Sequence, residues 1–134
     1  MERFIGKWEL IDSENFGEFL KAKGIGLPFR EVLRLAKIKK EIKDNHDGTY
    51  TVITDASLHR VVWKFKLGEE FIGKAVIDAD HKMKFEFEND VLTEKHFRNN
   101  EKGWECADYS VDGTKMIISM EADGVKAKRI FKRK

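Results

Sequence analysis

Along most of the chain, apolar residues recur at every second position, which is the spacing expected of strands that bury one face. The clearest case is Met83, Phe85 and Phe87, which alternate with lysines and glutamates. Turn signals such as Asp112-Gly113 separate these segments at intervals of about eight to twelve residues, as in antiparallel hairpins. The pattern predicts roughly ten short antiparallel strands joined by tight turns.

Two helical segments interrupt this pattern after the first strand. Asp12-Ser13 provides a helix cap, and Phe16 and Leu20 then recur at the spacing of a helix face. Pro28 stands at an allowed first-turn position of a second helix. We therefore expect a helix–turn–helix of about twenty residues. The apolar face expected for its second helix consists of Phe29, Val32, Leu33 and Ala36.

A meander of this length usually closes into a barrel, because closure removes the exposed edges of the sheet. A barrel of about ten strands is wider than its own side chains can fill, so its interior has room for a ligand. The sequence therefore predicts a mainly β fold, a ten-stranded antiparallel up-and-down β-barrel with a helix–turn–helix lid after the first strand. We expect a single domain that spans residues 1–134.

Composition and cysteine content agree with a cytoplasmic location. The 134 residues are 41% hydrophobic and 37% charged, and no apolar run has the length of a membrane span. The segment that begins at Met1 lacks the features of a signal peptide. Cys106 is the only cysteine, which excludes an intrachain disulfide and a cysteine zinc site. We therefore expect a protein of a reducing compartment.

The net charge of +2 hides two basic regions. Residues 21–43 contain eight basic and two acidic residues, and residues 125–134 contain six basic residues and no acid. Such regions favour contact with an anionic surface or ligand, although an ordinary solvated face has the same composition. Both interpretations stay open at this point.

Arg129 interrupts the apolar face of the last strand. Lys126, Lys128 and Lys132 share the other face, so the alternation turns Arg129 inward. A buried guanidinium needs a carboxylate partner from the protein or from a ligand, and its planar fork suits that group. The pattern predicts a headgroup anchor or an internal salt bridge, whereas a register slip of one residue would put Arg129 outside.

Three segments of the chain resemble the intracellular lipid-binding proteins, the family of fatty-acid-binding proteins and their retinoid-binding relatives. These segments are residues 4–26 (FIGKWELIDSENFGEFLKAKGIG), 65–71 (FKLGEEF) and 128–131 (KRIF), which resemble the family's opening, its central strand and turn, and its last strand. The resemblance covers the chain in length and order. It implies a ten-stranded calycin barrel with a helical lid and a single apolar ligand in a partly hydrated cavity.

The resemblance also implies a headgroup site, because the family usually anchors a carboxylate with two arginines and a tyrosine on the eighth and tenth strands. Arg129 matches the arginine of the last strand, whereas Phe131 stands at the tyrosine position and lacks the hydroxyl. Asp108 falls near the position of the eighth-strand arginine. These departures suggest the hypothesis that Arg129 pairs with Asp108 and that the ligand headgroup is neutral.

The cavity wall, the portal and the lid follow from the same resemblance. Leu58 matches an aromatic gate residue, and Phe29 and Leu33 suggest a tight portal. The expected cavity and portal residues are Phe16, Leu20, Phe29, Leu33, Thr54, Ala56, Leu58, Trp63, Ile118, Met120 and Ala127. The lid residues expected to contact anionic membranes, or to form a nuclear import signal, are Lys21, Lys23, Arg30 and Arg34.

The expected function is that of an intracellular carrier, a monomer without a cofactor. It would bind one long-chain fatty acid or similar lipid and deliver it to membranes, enzymes or nuclear receptors; a neutral lipid or a retinoid is the alternative ligand. An enzyme is disfavoured, because the four histidines are scattered and no nucleophile, metal-ligand or phosphate-loop motif is present. A nucleic-acid- or protein-binding barrel is the alternative of another class. Glu86 and Glu88 disfavour nucleic acid, because they would repel phosphate beside the aromatic strand face.

Overall fold

The computed structural model describes residues 1–56, 59–73, 81–97 and 104–134, except for the side chains of His81 and Trp104. A short 3₁₀ helix, Glu2–Phe4, comes first. The strands are β1 (Gly6–Glu14), β2 (Ile38–Asp44), β3 (Tyr50–Ala56), β4 (His59–Phe65), β5 (Glu70–Gly73), β6 (His81–Glu88), β7 (Val91–Phe97), β8 (Trp104–Asp112), β9 (Lys115–Ala122) and β10 (Val125–Arg133). Helices α1 (Phe16–Ala22) and α2 (Phe29–Leu35) lie between β1 and β2.

The ten strands form one sheet in the order β4-β3-β2-β1-β10-β9-β8-β7-β6-β5. Every hydrogen-bonded pair of neighbours is antiparallel. Strands β4 and β5 are consecutive in the chain but form the two ends of the sheet, and β1 pairs with β10. The sheet thus curls into a nearly closed barrel, which confirms the predicted up-and-down fold with a helical lid after β1.

Strand β10 has the two faces that its sequence predicts. Arg129 and Phe131 are buried on the inner face, whereas Lys126, Lys128 and Lys132 are exposed. The same alternation on the other strands builds the main core. Its buried members are Phe4, Trp8, Ile42, Val52, Phe65, Met83, Phe85, Leu92, Tyr109, Met116, Ile118 and Phe131.

The side chain of Arg133 fastens the last strand to the start of the chain. Its Nη1 donates a hydrogen bond to the carbonyl oxygen of Ile5 at 2.7 Å, and its Nη2 donates to that of Arg3 at 2.5 Å. The guanidinium also lies 4.2 Å from the ring centroid of Trp8. Gly6 leaves room for this contact, because a Cβ at its φ of +133° would lie 2.6 Å from Nη1.

The junction between β1 and α1 differs from the prediction of a cap at Asp12-Ser13. Strand β1 continues through these residues to Glu14, with a register shift between Leu10 and Asp12, and α1 begins only at Phe16. The prediction was wrong because pairing with β10 continues past Asp12 in register. A long-range hydrogen-bond ladder therefore overrides the local capping signal.

Helix α1 packs on the barrel far more closely than α2 does. Phe19 and Leu20 of α1 are buried in one cluster with Ala127 of β10. On α2, Leu33 is packed against this cluster, but Phe29 and Val32 are 44% and 60% exposed. The apolar face predicted for α2 is thus only partly buried, because α1 already covers that part of β10. Within the described residues, no helix has the length and hydrophobicity that a membrane crossing requires.

Candidate functional site

Arg129 lies inside the barrel with an incomplete set of hydrogen-bond partners. Its Nε donates to Oγ of Ser13 at 3.0 Å, and its guanidinium lies 3.9 Å from the ring centroid of Phe16. Among the described residues, its buried Nη2 has no hydrogen-bond acceptor. Burial lowers the pKa of Arg129 to about 10. The side chain still carries its charge at neutral pH, so a carboxylate from a ligand would complete its interactions.

Asp108 does not lie beside Arg129, which corrects the pairing suggested from the sequence. It is exposed on the outer face of β8, where Oδ1 accepts a hydrogen bond from Oγ1 of Thr93 at 2.9 Å. The inward residue next to it is Tyr109, which pairs with Ile118, and Ile118 in turn pairs with Arg129. A shift of one residue along a strand reverses the face, so Tyr109 holds the inner position that Asp108 was expected to hold.

A second cluster of polar side chains lies around Glu94 on the inner face of β7. Oε1 of Glu94 accepts a hydrogen bond from the hydroxyl of Tyr109 at 2.5 Å, and Oε2 contacts Nε2 of His96. Burial opposes ionisation of Glu94, but the hydrogen bond and electrostatic effect of His96, together with Lys40 and Tyr109, lower its pKa to about 2. Burial, followed by Glu94, raises the pKa of Tyr109 well above its usual value. Glu94 is therefore an anion on the inner face of the barrel, with only 12% of its side chain exposed.

Lys40 brings a second cation into the same interior. Its Nζ donates to Oγ1 of Thr54 at 2.9 Å and lies 5.7 Å from the ring centroid of Tyr109. Burial lowers the pKa of Lys40, Glu94 acts to raise it, and Arg129 acts to lower it. Lys40 is thus coupled electrostatically to both Glu94 and Arg129 inside the barrel.

Sequence reasoning missed Lys40, Glu94 and His96, although the alternation contained the signal. Lys40 lies between Ile38 and Ile42 at a spacing of two, and Glu94 and His96 follow Leu92 in the same way. Charged residues on strands usually indicate the solvent face, and this expectation hid the inward positions. Assigning the faces from Ile42 and Leu92 would have revealed them.

The predicted wall residues divide between the interior, the surface and the part of the chain that the structure does not describe. Leu20, Ile118 and Ala127 are buried, and Phe29 is exposed on α2. Leu58 lies outside the described residues. Those predicted residues that are half-buried are Phe16, Leu33, Thr54, Ala56, Trp63 and Met120.

Around Arg129, the structure gathers an apolar cluster and an aromatic neighbour in the core. Phe16, Leu33 and Met120 pack against the cluster of Leu20 and Ala127, which lies beside Arg129 on α1 and β10. Phe131 is buried in the main core and, having no hydroxyl, offers no hydrogen bond to a headgroup. Trp63 of β4 contacts the other polar cluster instead, since its ring centroid lies 5.9 Å from that of His96.

The basic residues predicted to act on the lid surface differ in their contacts. Lys21 is exposed. Lys23 forms an ion pair with Glu105 of β8 at 3.0 Å. Arg34 forms an ion pair with Glu31 at 2.6 Å, and both side chains are exposed. Nη1 of Arg30 donates to the carbonyl oxygen of Ile25 at 3.4 Å.

Comparison with known proteins found close similarity over the whole chain. No protein-family model matches. The chain is 34% identical to fatty acid-binding protein homolog 3 of Caenorhabditis elegans, over 98% of this chain and 82% of that protein. It is also 34% identical to cellular retinoic acid-binding protein 2 of Rattus norvegicus, over 99% of each. Among solved structures, As-p18, described as an extracellular fatty acid binding protein, superimposes with a TM-score of 0.92 at 29% identity, over 99% of this chain and 97% of that one.

Proposed function

This chain belongs to the family of fatty-acid-binding and cellular retinoid-binding proteins, and we propose that it carries one long-chain fatty acid inside its barrel. The main support is Arg129, a buried cation whose Nη2 lacks an acceptor among the described residues. A fatty acid supplies a carboxylate for this group and an alkyl chain for the apolar cluster of Phe16, Leu20 and Met120. Fatty acids and retinoic acid, the ligands named for the two sequence relatives, are both carboxylic acids.

A charged headgroup now has better support than a neutral one. The neutral alternative depended on Asp108 as an internal partner of Arg129. Asp108 is exposed and bonded to Thr93, so it does not compensate the charge of Arg129. A neutral lipid or retinol offers an oxygen that can accept a hydrogen bond from Nη2, but it leaves the buried charge of Arg129 without a counter-charge.

Native mass spectrometry of the gently purified chain, followed by lipid extraction, tests the proposal directly. We expect one fatty acid per monomer. Oleate titration of Arg129→Gln should then show weaker binding by about tenfold or more, since a charge-assisted contact is lost. Lys128→Gln is the matched control, because Lys128 is exposed on the outer face of the same strand. A ligand-free mass together with no uptake of added oleate would contradict the carrier function.

Delivery to an anionic membrane is the finer part of the proposal. Four apolar side chains of the lid region are exposed, namely Leu27, Phe29, Val32 and Leu35. Exposed Lys21 and half-buried Arg30 lie in the same region, so an apolar face with basic neighbours fits a negatively charged bilayer.

Transfer of a fluorescent fatty acid to vesicles tests delivery. Vesicles of phosphatidylcholine with phosphatidylserine should accept the ligand faster than phosphatidylcholine alone. Leu35→Ser should reduce this difference. Val62→Ser is the control, because Val62 is an exposed apolar residue on β4 and not on the lid. Equal rates with both kinds of vesicle would contradict delivery by anionic contact.

The proposal places the carrier in the cytoplasm as a non-catalytic monomer. Because one structural relative is described as extracellular, the location needs its own test. Imaging of a tagged chain, with and without Lys21→Ala and Arg30→Ala, distinguishes a cytoplasmic carrier from one that also enters the nucleus. Incubation with lipid esters, with products followed by mass spectrometry, tests the absence of turnover.

A further inference from the structure

One row of inner-face residues leads from the neighbourhood of Arg129 to Glu94. Ala127 of β10 pairs with Met120 of β9. Met120 pairs with Ala107 of β8, and Ala107 pairs with Glu94 of β7. Neighbouring strands are spaced by roughly 4.8 Å, so Ala127 and Glu94 lie about 14 Å apart along the barrel wall. A ligand chain that is anchored at Arg129 and follows this row therefore meets Glu94 in its middle part and not at its headgroup.

The row is apolar on both sides of Glu94. Ala107 is one cross-strand neighbour of Glu94, and its single methyl group leaves room beside the carboxylate. Phe85 of β6 is the other neighbour; it is fully buried, and its ring centroid lies 4.2 Å from that of Phe65. The inward side chain of Glu94 is 12% exposed, so part of its surface borders the barrel interior. Its carboxylate is therefore a charged group on an apolar path.

Glu94 can accept more hydrogen bonds than the described side chains donate to it. An ionised carboxylate has about four acceptor sites. The hydroxyl of Tyr109 occupies one site on Oε1, and Nε2 of His96 contacts Oε2. An uninterrupted alkyl chain that covers Glu94 would take the remaining sites out of water without replacing their hydrogen bonds, which is unfavourable for a charged group. A ligand group that donates a hydrogen bond would offset this cost, whereas a second carboxylate would be repelled.

We propose that Glu94 selects fatty acids that carry a hydroxyl group in the middle of the chain, and that this hydroxyl donates a hydrogen bond to the Glu94 carboxylate. The proposal rests on the proposed function, because Arg129 still holds the carboxylate of the ligand, and it names the class of fatty acid carried. Tyr109 and His96 hold the Glu94 side chain in position. A hydroxyl beside the headgroup would lie near Arg129 and out of reach of Glu94, so the position of the hydroxyl matters as well as its presence.

Oleate and ricinoleate test this selection, because they share chain length and double bond and differ by one mid-chain hydroxyl. The wild type should bind ricinoleate about tenfold more tightly, as expected for a hydrogen bond to a charged group. α-Hydroxyoleate, whose hydroxyl is next to the carboxylate, is the matched control ligand and should bind like oleate. Displacement of a fluorescent fatty acid measures all three affinities. Equal affinities of the wild type for oleate and ricinoleate would overturn the proposal.

Glu94→Leu distinguishes recognition by the carboxylate from a general preference for polar lipids. Ricinoleate should lose its advantage in this variant, and oleate should bind at least as tightly as before. Glu86→Leu is the matched control, because the side chain of Glu86 is 39% exposed on the outer face of β6. If circular dichroism shows that Glu94→Leu does not fold, Glu94→Gln keeps the shape without the charge and should show a reduced preference. A folded variant that keeps the full preference for ricinoleate would contradict the role of Glu94.

Failure of this selection and failure of the carrier function give different results. If the wild type binds oleate and ricinoleate equally while Arg129→Gln binds both weakly, Glu94 does not select the ligand and the carrier function stands. If the wild type takes up neither fatty acid, the carrier function itself fails.

Discussion

Nζ of Lys23 lies 3.0 Å from Oε1 of Glu105, and this ion pair joins the end of α1 to the start of β8. Both side chains are less than one-quarter exposed, so solvent screens the pair less than an ordinary surface pair. The sequence had suggested Lys23 as a membrane contact. In the structure, the same charge fastens the lid to the barrel.

Lys23→Gln should therefore speed the exchange of a bound fluorescent fatty acid. The lid loses one tie to β8, while the stability of the barrel falls by only about 1 kcal/mol or less. Stopped-flow release measures the rate, and Lys21→Gln is the control because Lys21 is exposed on the same helix. Equal release rates for the two variants would show that the ion pair does not restrain the lid.

Gly6→Ala should destabilise the barrel by about 2 kcal/mol. The new Cβ would lie 2.6 Å from Nη1 of Arg133, so it would disturb the hydrogen bonds of Arg133 to the start of the chain. The φ of +133° at residue 6 would also strain the backbone of an alanine. Urea denaturation measures the loss. Gly26→Ala is the control, because a Cβ there meets no atom within 4 Å and Gly26 has no positive φ. Equal urea midpoints for the two variants would contradict a stabilising role of the contact between Gly6 and Arg133.

Stability should fall more steeply in acid for the wild type than for Glu94→Gln. The pKa of Glu94 is about 2 in the folded chain and 4.5 ordinarily, so its ionisation favours the fold above pH 4.5 and loses this effect as the pH falls towards 2. The full contribution is about 3 kcal/mol. Urea denaturation between pH 6 and pH 3 should show the stability difference between the two proteins shrinking. A constant difference would contradict the lowered pKa.

Lys40→Met should stabilise the delipidated protein. Burial lowers the pKa of Lys40, so at neutral pH its charge opposes folding by an amount that disappears as the pH rises towards the ordinary 10.5. Replacement by an apolar side chain removes this cost, with an expected gain of about 1 kcal/mol or more. Thermal unfolding of delipidated protein checks the gain against Lys39→Met. A lower melting temperature than the wild type would contradict it.

The sequence predicted the strands well because a period of two is a local property of the chain. It also placed Arg129 inside, since three lysines define the outer face of β10. The family resemblance led to Asp108 as the inward residue of β8, but Tyr109 faces the interior. A shift of one residue along a strand is enough to cause this error, because successive side chains point to opposite faces. Strand β1 is longer than predicted because its last residues pair with β10. The local sequence at Asp12 contains no sign of this long-range pairing. Lys40 and Glu94 were missed because a charged side chain normally indicates solvent.

Because β1 pairs with β10, the barrel can close only after the last strand of the chain has been made. Its seam lies between the consecutive strands β4 and β5, while its closing hydrogen bonds join the two segments farthest apart in sequence. Closing such a long loop is entropically demanding and slow. During synthesis, the lid, Lys40 and Glu94 emerge from the ribosome long before Arg129. The strand that carries Arg129, the proposed anchor of the ligand, is also the strand that closes the barrel, so an incomplete chain lacks both this residue and the strand that pairs with β1.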